Sequence, residues 1–482
     1  MNQDTTLSKR TSSFLLNHVV TIVFIIFAIV GYIFSGDFTP SSFINELAVR
    51  FFRNALLILS LIIPVIAGLG LNFGIVVGAL VGMLSIIIVR YYMLLGFAFF
   101  SSPFGSLMLC FLIALPIAIL VGWLTGRLYN RTRGQEMVAS LMVGFFAEGI
   151  YMVILLWIIG GVIPVAPNHP MIKPVTDIGV RATFDMGLPA AEINLARGAH
   201  QVPGMSRALT GLWRVEFLQA LIAIAVVALA FVIIRRLITR NKPEMAQGSA
   251  WQFYLRVILY GAILIFGIQQ SISPMHEVSL LLPIPAVTLL VIVGFCLFHT
   301  YFLKTKLGQD MRSVGQSQPI SNAAGINVDR TRIIATMIST VLAAWGMIVY
   351  LQDMGTVSAY TAQRQIGLFS VASLLVGGAT VSKASSKNAV VGLLLFHSMF
   401  IVSPGIGRLL PIASENAENV AEYIRTFMMY TVIGVSLGLH VWKINKAAKN
   451  KTKLDPREVA RIDAQTAEAA NDDILKLKTP NT

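Results

Sequence analysis

Charge is what this chain has least of. Only 12% of its 482 residues are Asp, Glu, Lys or Arg, against about 25% in a water-soluble domain. The length alone would suggest roughly three soluble domains, but so few charges cannot cover three water-facing surfaces. An ordinary cytosolic enzyme is therefore excluded. Disorder is excluded as well, because a disordered chain combines low hydrophobicity with high net charge, whereas here 56% of residues are hydrophobic. Cysteine is almost missing. Cys110 and Cys296 each lie inside an apolar run, and two such residues build neither a disulfide framework nor a thiolate metal site. There is no G-x-x-x-x-G-K-[ST] and no Gly-Lys pair anywhere, so the chain has no P-loop for ATP. The seven histidines offer no pair at helical ligand spacing and no H-E-x-x-H, and no G-x-S-x-G elbow occurs. Hydrolysis on this chain is not expected. Movement of something across a membrane remains.

What the sequence does have is apolar runs. A spanning helix needs about 20 mainly apolar residues to cross roughly 30 Å of hydrocarbon. Twelve runs approach that length, at about 14–34, 54–71, 74–94, 105–128, 137–160, 215–234, 251–268, 280–302, 333–351, 367–380, 389–404 and 422–442. The tenth is short enough to be a half-helix or a re-entrant segment. The expected fold is an all-α polytopic membrane protein of about 10–12 transmembrane helices, some broken or re-entrant. The first run follows Lys9 and Arg10, is too long for a signal-peptide core and lacks a small-residue cleavage site, so it reads as a retained span.

The formal net charge of +14 does not point to nucleic acid, because the basic residues fall in short clusters between apolar runs rather than on one face. With the N-terminus inside, most of the 37 Lys and Arg lie in inner segments, as cytoplasmic loops require. Both termini are thus expected in the cytoplasm. The resulting organisation is a cytoplasmic N-terminus (1–13), a first transmembrane half (14–160), an extracytoplasmic loop (161–214), an additional helix pair (215–268), and a second transmembrane half (280–442) with a cytoplasmic loop at 303–332. A cytoplasmic tail (443–482) follows, in which Asp455, Pro456 and Glu458 suit the start of a short surface helix.

Two glycine-interrupted segments are candidate path elements. Glycines 70, 74, 78 and 82 recur every fourth residue, which on a helix makes one smooth stripe for close packing. The other reading is a helix break near the bilayer middle, where Asn72, Phe73 and Gly74 face a passage. The second segment runs from Gly367-Leu368-Phe369-Ser370 to Gly377-Gly378. Glu148 is the one acid near the middle of a span. It is either a proton-coupling carboxylate or a neutral, hydrogen-bonded structural residue.

The stretch Phe302 to Asn327 is too long for a hairpin. Pro319 suits a helix first turn and Gly325 a C′ position, so a helix of about two turns is expected on the membrane surface. Small residues at Ser321, Ala323 and Ala324 would let another protein's groove close over it. A solvated connector is the plainer alternative.

At this stretch the sequence resembles the permease subunits of bacterial ABC importers, in the group serving ribose and other simple sugars, nucleosides and branched-chain amino acids. The resemblance rests on Thr305-Lys306-Leu307-Gly308, Arg312-Ser313-Val314-Gly315 and Ala323-Ala324-Gly325-Ile326-Asn327, and on Gln135-Glu136-Met137-Val138-Ala139-Ser140-Leu141-Met142. It implies that Arg312, Gly315, Gln318, Pro319, Ser321, Asn322, Ala323, Ala324 and Gly325 couple to an ATPase. It also guides the choice of Asn72, Phe73, Gly74, Ser140, Phe145, Glu148, Phe369, Ser370, Gly377 and Gly378 for the path. The implied partners are ABC ATPase subunits carrying ATP and Mg, a second permease, identical or related, and an extracytoplasmic solute-binding protein. No cofactor is expected on this chain, and the setting is the lipid bilayer of the bacterial inner membrane. Asn72-Phe73-Gly74 runs into Ile75-Val76-Val77 without the acid or the Asp-Leu-Ser run found in relatives, and Gly144 replaces a common Asn. The solute therefore stays open between a simple sugar and a nucleoside. Two rival readings are a proton-coupled transporter using Glu148 and a structural membrane assembly protein.

Overall fold

The computed structural model describes residues 20–33, 39–95, 102–155, 157, 183–187, 205–239, 250–272, 283–358, 362–409 and 417–452. The expected helix at Asp455 to Glu458, the N-terminus 1–13 and most of the loop 161–214 lie outside them.

Fifteen helices occur in this set: α1 (Val20–Ile33), α2 (Pro40–Ser60), α3 (Ile62–Ile66), α4 (Ile75–Leu94), α5 (Pro103–Arg131), α6 (Glu136–Val153), α7 (Phe217–Thr239), α8 (Ala250–Ile272), α9 (Ala286–Phe302), α10 (Lys306–Gln316), α11 (Gln318–Ala323), α12 (Val328–Met354), α13 (Ala362–Val376), α14 (Ser386–Leu409) and α15 (Ala417–Thr452). Each apolar run overlaps at least one of them, and the run 54–71 is divided between α2, α3 and the turn that follows. Six helices are long and apolar enough to cross a membrane, and α9 with α10, bent by 75°, makes a seventh candidate. The chain is a multi-pass, all-α membrane protein. Its outer faces carry apolar side chains such as Phe146, Val227 and Ile258, each about 70% exposed, which suits a surface turned to lipid. The starts of the long helices are written locally. Thr39 and Ser102 cap α2 and α5 with their hydroxyls, each followed by a first-turn proline, and Asn327 caps α12 through the Arg330 N–H.

Helix α12 is the axis of the bundle. It packs on α2, α4 and α5 wherever a glycine removes the side chain between two backbones. A Cβ on Gly122 would lie 2.9 Å from the Met337 Cα, one on Gly126 2.9 Å from the Ile333 Cα, and one on Gly346 3.0 Å from the Leu57 N. Direction follows from contacts. Arg53 of α2 pairs with Asp353 at 2.8 Å, and the Ser339 hydroxyl donates to the Ser60 carbonyl at 2.9 Å. Helix α2 therefore runs antiparallel to α12. Gly78 of α4 abuts Ala343, and Gly82 abuts Met347, so α4 runs parallel to it. Residues 67–74 are thus a turn between two antiparallel arms, at the end of the bundle that also carries α10 and α11.

This corrects the glycine stripe. Only Gly78 and Gly82 sit on a helix and pack against α12. Gly70 lies in the turn with φ +71°, and Gly74 is the residue before α4. The break is a reversal of the chain between α3 and α4 rather than an interruption of one continuing helix.

At the far end of the bundle two short antiparallel ladders form, Thr183–Asp185 (β1) with Thr356–Ser358 (β4), and Arg214–Glu216 (β2) with Pro283–Pro285 (β3). Arg90 ties α4 to the first, its Nε donating to the Asp185 carbonyl at 3.2 Å. The pair α7 and α8 leaves from β2 and returns at β3, and its two helices pack on each other.

Candidate translocation and docking site

The turn 67–74 is built by glycine and by one asparagine. Gly68 and Gly70 have φ of +75° and +71°, a region that costs other residues roughly 1–2 kcal/mol. The Asn72 Oδ1 then accepts from the Gly74 N–H at 2.9 Å, closing a local Asx turn. The same oxygen accepts from the Tyr129 hydroxyl of α5 at 3.0 Å. The Phe73 N–H donates to the Ser140 Oγ of α6 at 3.1 Å, and that hydroxyl donates to the Met137 carbonyl at 2.7 Å. Asn72, Phe73 and Ser140 are all buried. Gly144 of α6 and Gly367 of α13 bring their backbones against Phe73 and Val76. Four of the expected path residues, Asn72, Phe73, Gly74 and Ser140, therefore meet in one place.

The other expected path residues are spread out. Glu148 is buried on the same α6 stripe as Ser140 and Gly144, two turns beyond Ser140. Phe145 is about half exposed and points off that stripe. Ser370 is buried, while Phe369 faces α14, its ring 4.9 Å from Phe400 and 5.9 Å from Phe396. Gly377 and Gly378 close α13. Gly378 takes φ +85°, its N–H donates to the Leu375 carbonyl, and the Ala379 N–H donates to the Leu374 carbonyl. The turn after α13 returns to the first one, since a Cβ on Gly70 would lie 3.3 Å from the Met137 Cγ and 3.5 Å from the Val381 Cγ1.

Below the turn lie α10 and α11. Thr305 caps α10, its hydroxyl accepting from the Gly308 N–H. Pro319 sits in the first turn of α11, and Gly325 (φ +81°) ends it, with the Ile326 N–H donating to the Ser321 carbonyl at 3.0 Å. Ser321 is buried and holds α11 to α10 through the Ser313 hydroxyl at 2.8 Å. Pro319, Ile320, Asn322, Ala323 and Ala324 face outward. Arg312 is exposed, and Gln318 is half-buried at the start of α11. Gly315 packs inward, against Gly68. Beside α11 is a cavity of about 680 Å³, lined among others by Arg133, Gln318, Asn322 and Asp329.

Residues that sequence reasoning did not select complete the site. Tyr129 is fully buried and donates to Asn72; nothing in the sequence sets it apart from other span-end tyrosines. Arg332, the last residue of the loop expected at 303–332, is instead buried inside α12 and pairs with Glu136 of α6 at 2.6 Å. Gly68 was visible only as the partner of Gly70 in a G-x-G. The arrangement places uncharged hydrogen-bonding groups around a glycine-built turn.

An all-α, multi-pass bundle whose buried polar turn stands over a projecting surface helix has the build of a membrane permease. Sequence comparison gives the particular family. A family profile described as "Branched-chain amino acid transport system / permease component" matches residues 190–433, and the chain belongs to that family. The chain is also similar to the nucleoside ABC transporter permease protein NupB of Lactococcus lactis subsp. cremoris (strain MG1363), with 29% identity over 115 residues. That match takes in 24% of this chain and 29% of the relative's length. No solved structure matches the chain.

Proposed function

We propose that this chain is the membrane-spanning subunit of an ATP-driven importer for a small polar solute, a simple sugar or a nucleoside. The observation that carries the reading is α11. A short helix that has Pro319 in its first turn, ends at the left-handed Gly325 and turns Pro319, Ile320, Asn322, Ala323 and Ala324 outward presents a compact surface of small and apolar side chains to a partner's groove. In this reading ATPase subunits dock on Gln318 to Gly325, with ATP and Mg bound on those subunits. A second permease, identical or related, encloses the path. An extracytoplasmic solute-binding protein delivers to the far end, and both termini lie in the cytoplasm of a bacterium. Closure of the ATPases displaces α10 and α11 and shifts the bundle between inward-open and outward-open states.

The solute class rests on the chemistry around the turn. Asn72 and Ser140 at the turn, with Phe369 and Ser370 apart from them on α13, are uncharged hydrogen-bonding and aromatic groups, a set suited to a polar, uncharged ligand. The named function of the Lactococcus relative supports a nucleoside. A proton-coupled transporter is the second reading, favoured by the burial of Glu148 on the Ser140 stripe. The experiment is uptake into vesicles holding the permease with its ATPase. Uptake is expected to require ATP, to survive Glu148→Gln, and to fall about tenfold with loss of bound ATPase in Ala323→Arg. Uptake that runs without the ATPase and stops in Glu148→Gln would instead establish the second reading.

A further inference from the structure

Helix α10 ends in contact with the polar turn, and the contact is between backbones. A Cβ placed on Gly68 would lie 2.8 Å from the Gly315 Cα. One placed on Gly315 would run into the Ile66 carbonyl oxygen and lie 3.1 Å from the Gly68 N. No flexible side chain stands between the two segments, so displacement of one is displacement of the other. Around this point Ala67, Leu69, Met311, Tyr129 and Ala335 form an apolar cluster separate from the main core. Its Tyr129 is the residue that donates to Asn72. Four residues after Gly68 comes Asn72, and the next N–H is held by Ser140. The turn is therefore gripped on one side by α10, and its Asn72 and Phe73 are each tied by a single hydrogen bond, to α5 and to α6.

A longer route also exists, from α11 into α12 and across Arg332–Glu136 to α6. That route passes through long side chains, which absorb small displacements by changing rotamer. The glycine contact has no such slack, and close-packed contacts of this kind transmit strain.

We propose that the Gly68–Gly315 contact delivers movement of the docking helices to the Asn72–Phe73 turn, breaking its bonds to Tyr129 and Ser140 and so opening the path. Gly68 and Gly315 are positioning residues in this account. The inference rests on the importer reading above. The test uses the complete permease–ATPase complex in vesicles, with Gly315→Ala. Because Gly315 lies among the residues expected to couple to the ATPase, uptake is compared with hydrolysis in the same vesicles: with the ATPase still bound, solute uptake is expected to fall about tenfold or more beyond any loss of ATP hydrolysis. Uptake equal to that of the unaltered complex would overturn the inference. So would equal losses of uptake and hydrolysis with the ATPase still bound, which would make Gly315 a docking residue only. Where Gly315→Ala does not assemble, amide hydrogen exchange on the unaltered complex decides. The Phe73 and Gly74 amides are expected to exchange faster when a non-hydrolysable ATP analogue is added, and unchanged exchange sinks the proposal. If the unaltered complex shows no ATP-dependent uptake, the importer reading itself fails, and that result is separate from any behaviour of the glycines.

Discussion

The two glycine turns, at residues 67–74 and after Val376, read alike as sequence and are built for different purposes. The turn after α13 is an ordinary helix end. Gly378 supplies the left-handed residue, and the orphan carbonyls of α13 are met by the next two N–H groups. What is unusual there is the crossing of α13 and α14, where Gly377 and Gly392 each stand against the other helix's backbone, and the Asn388 Nδ2 donates to the Gly377 carbonyl at 2.7 Å. The first turn, in contrast, is held by side chains from α5 and α6 through single hydrogen bonds. One turn is locked by backbone packing on α14; the other meets backbone at α10, while its Asn72 and Phe73 are tied to α5 and α6 by bonds that can be undone one at a time. That difference is the ground on which the first is proposed as the moving part.

The largest effect should come from the locked turn. Gly392→Ala drives a methyl group into the Ser373 carbonyl and against the Gly377 N. Overpacking a site where only backbone can yield costs about 3 kcal/mol. The expected outcome is a steep fall in folded yield and in thermal midpoint in detergent, with uptake per folded molecule close to normal. A variant that folds normally and fails only in transport would break the comparison.

Asn72→Ala tests the other side. It strips the acceptor from two donors, the Tyr129 hydroxyl and the Gly74 N–H, inside a buried site. Leaving buried donors unmet costs about 1–3 kcal/mol. The protein should still fold, with a modest drop in thermal midpoint, while uptake per folded molecule drops about tenfold. Tyr129→Phe removes one of these bonds and keeps the ring, so about 1 kcal/mol of stability is expected to go. Adding Ser140→Ala should then loosen the turn further. Amide exchange at Phe73 measures that directly, and it should rise more in the double variant than in either single one.

How much of this could be read in the sequence divides along the same line. The helices and the short helix at Pro319 to Gly325 were legible, because apolar run length, first-turn proline and C′ glycine are local signals, whereas Asn72 and Ser140 were chosen with the resemblance as guide. The role of each glycine was not. A fourfold spacing looks the same whether residues continue one helix or lie in a turn, and only the packing of Gly78 and Gly82 on α12, with Gly70 set apart in the turn, separates the cases. Tyr129 and Arg332 were illegible for a different reason. Their partners, Asn72 and Glu136, lie far away in sequence, and burial of a polar group at a span end leaves no periodic trace.

The smallest effect belongs to the surface beside α11. Arg133 and Asp329 form an ion pair there, both side chains about half exposed, and such pairs contribute about 0–1 kcal/mol because water screens them and two long side chains must be held still. Arg133→Ala should leave the thermal midpoint within the error of measurement. The pair nonetheless borders the cavity next to the docking helix, so its effect should appear in association rather than in folding. Binding of the ATPase, measured by co-purification across a salt series, should weaken by about twofold to fivefold at low ionic strength. The difference should vanish in high salt, where the Debye length shrinks to about 3 Å at 1 M. A salt-independent loss would mean that Arg133 acts by shaping α11 and not by charge, and it would move the docking surface toward the face of Ile320.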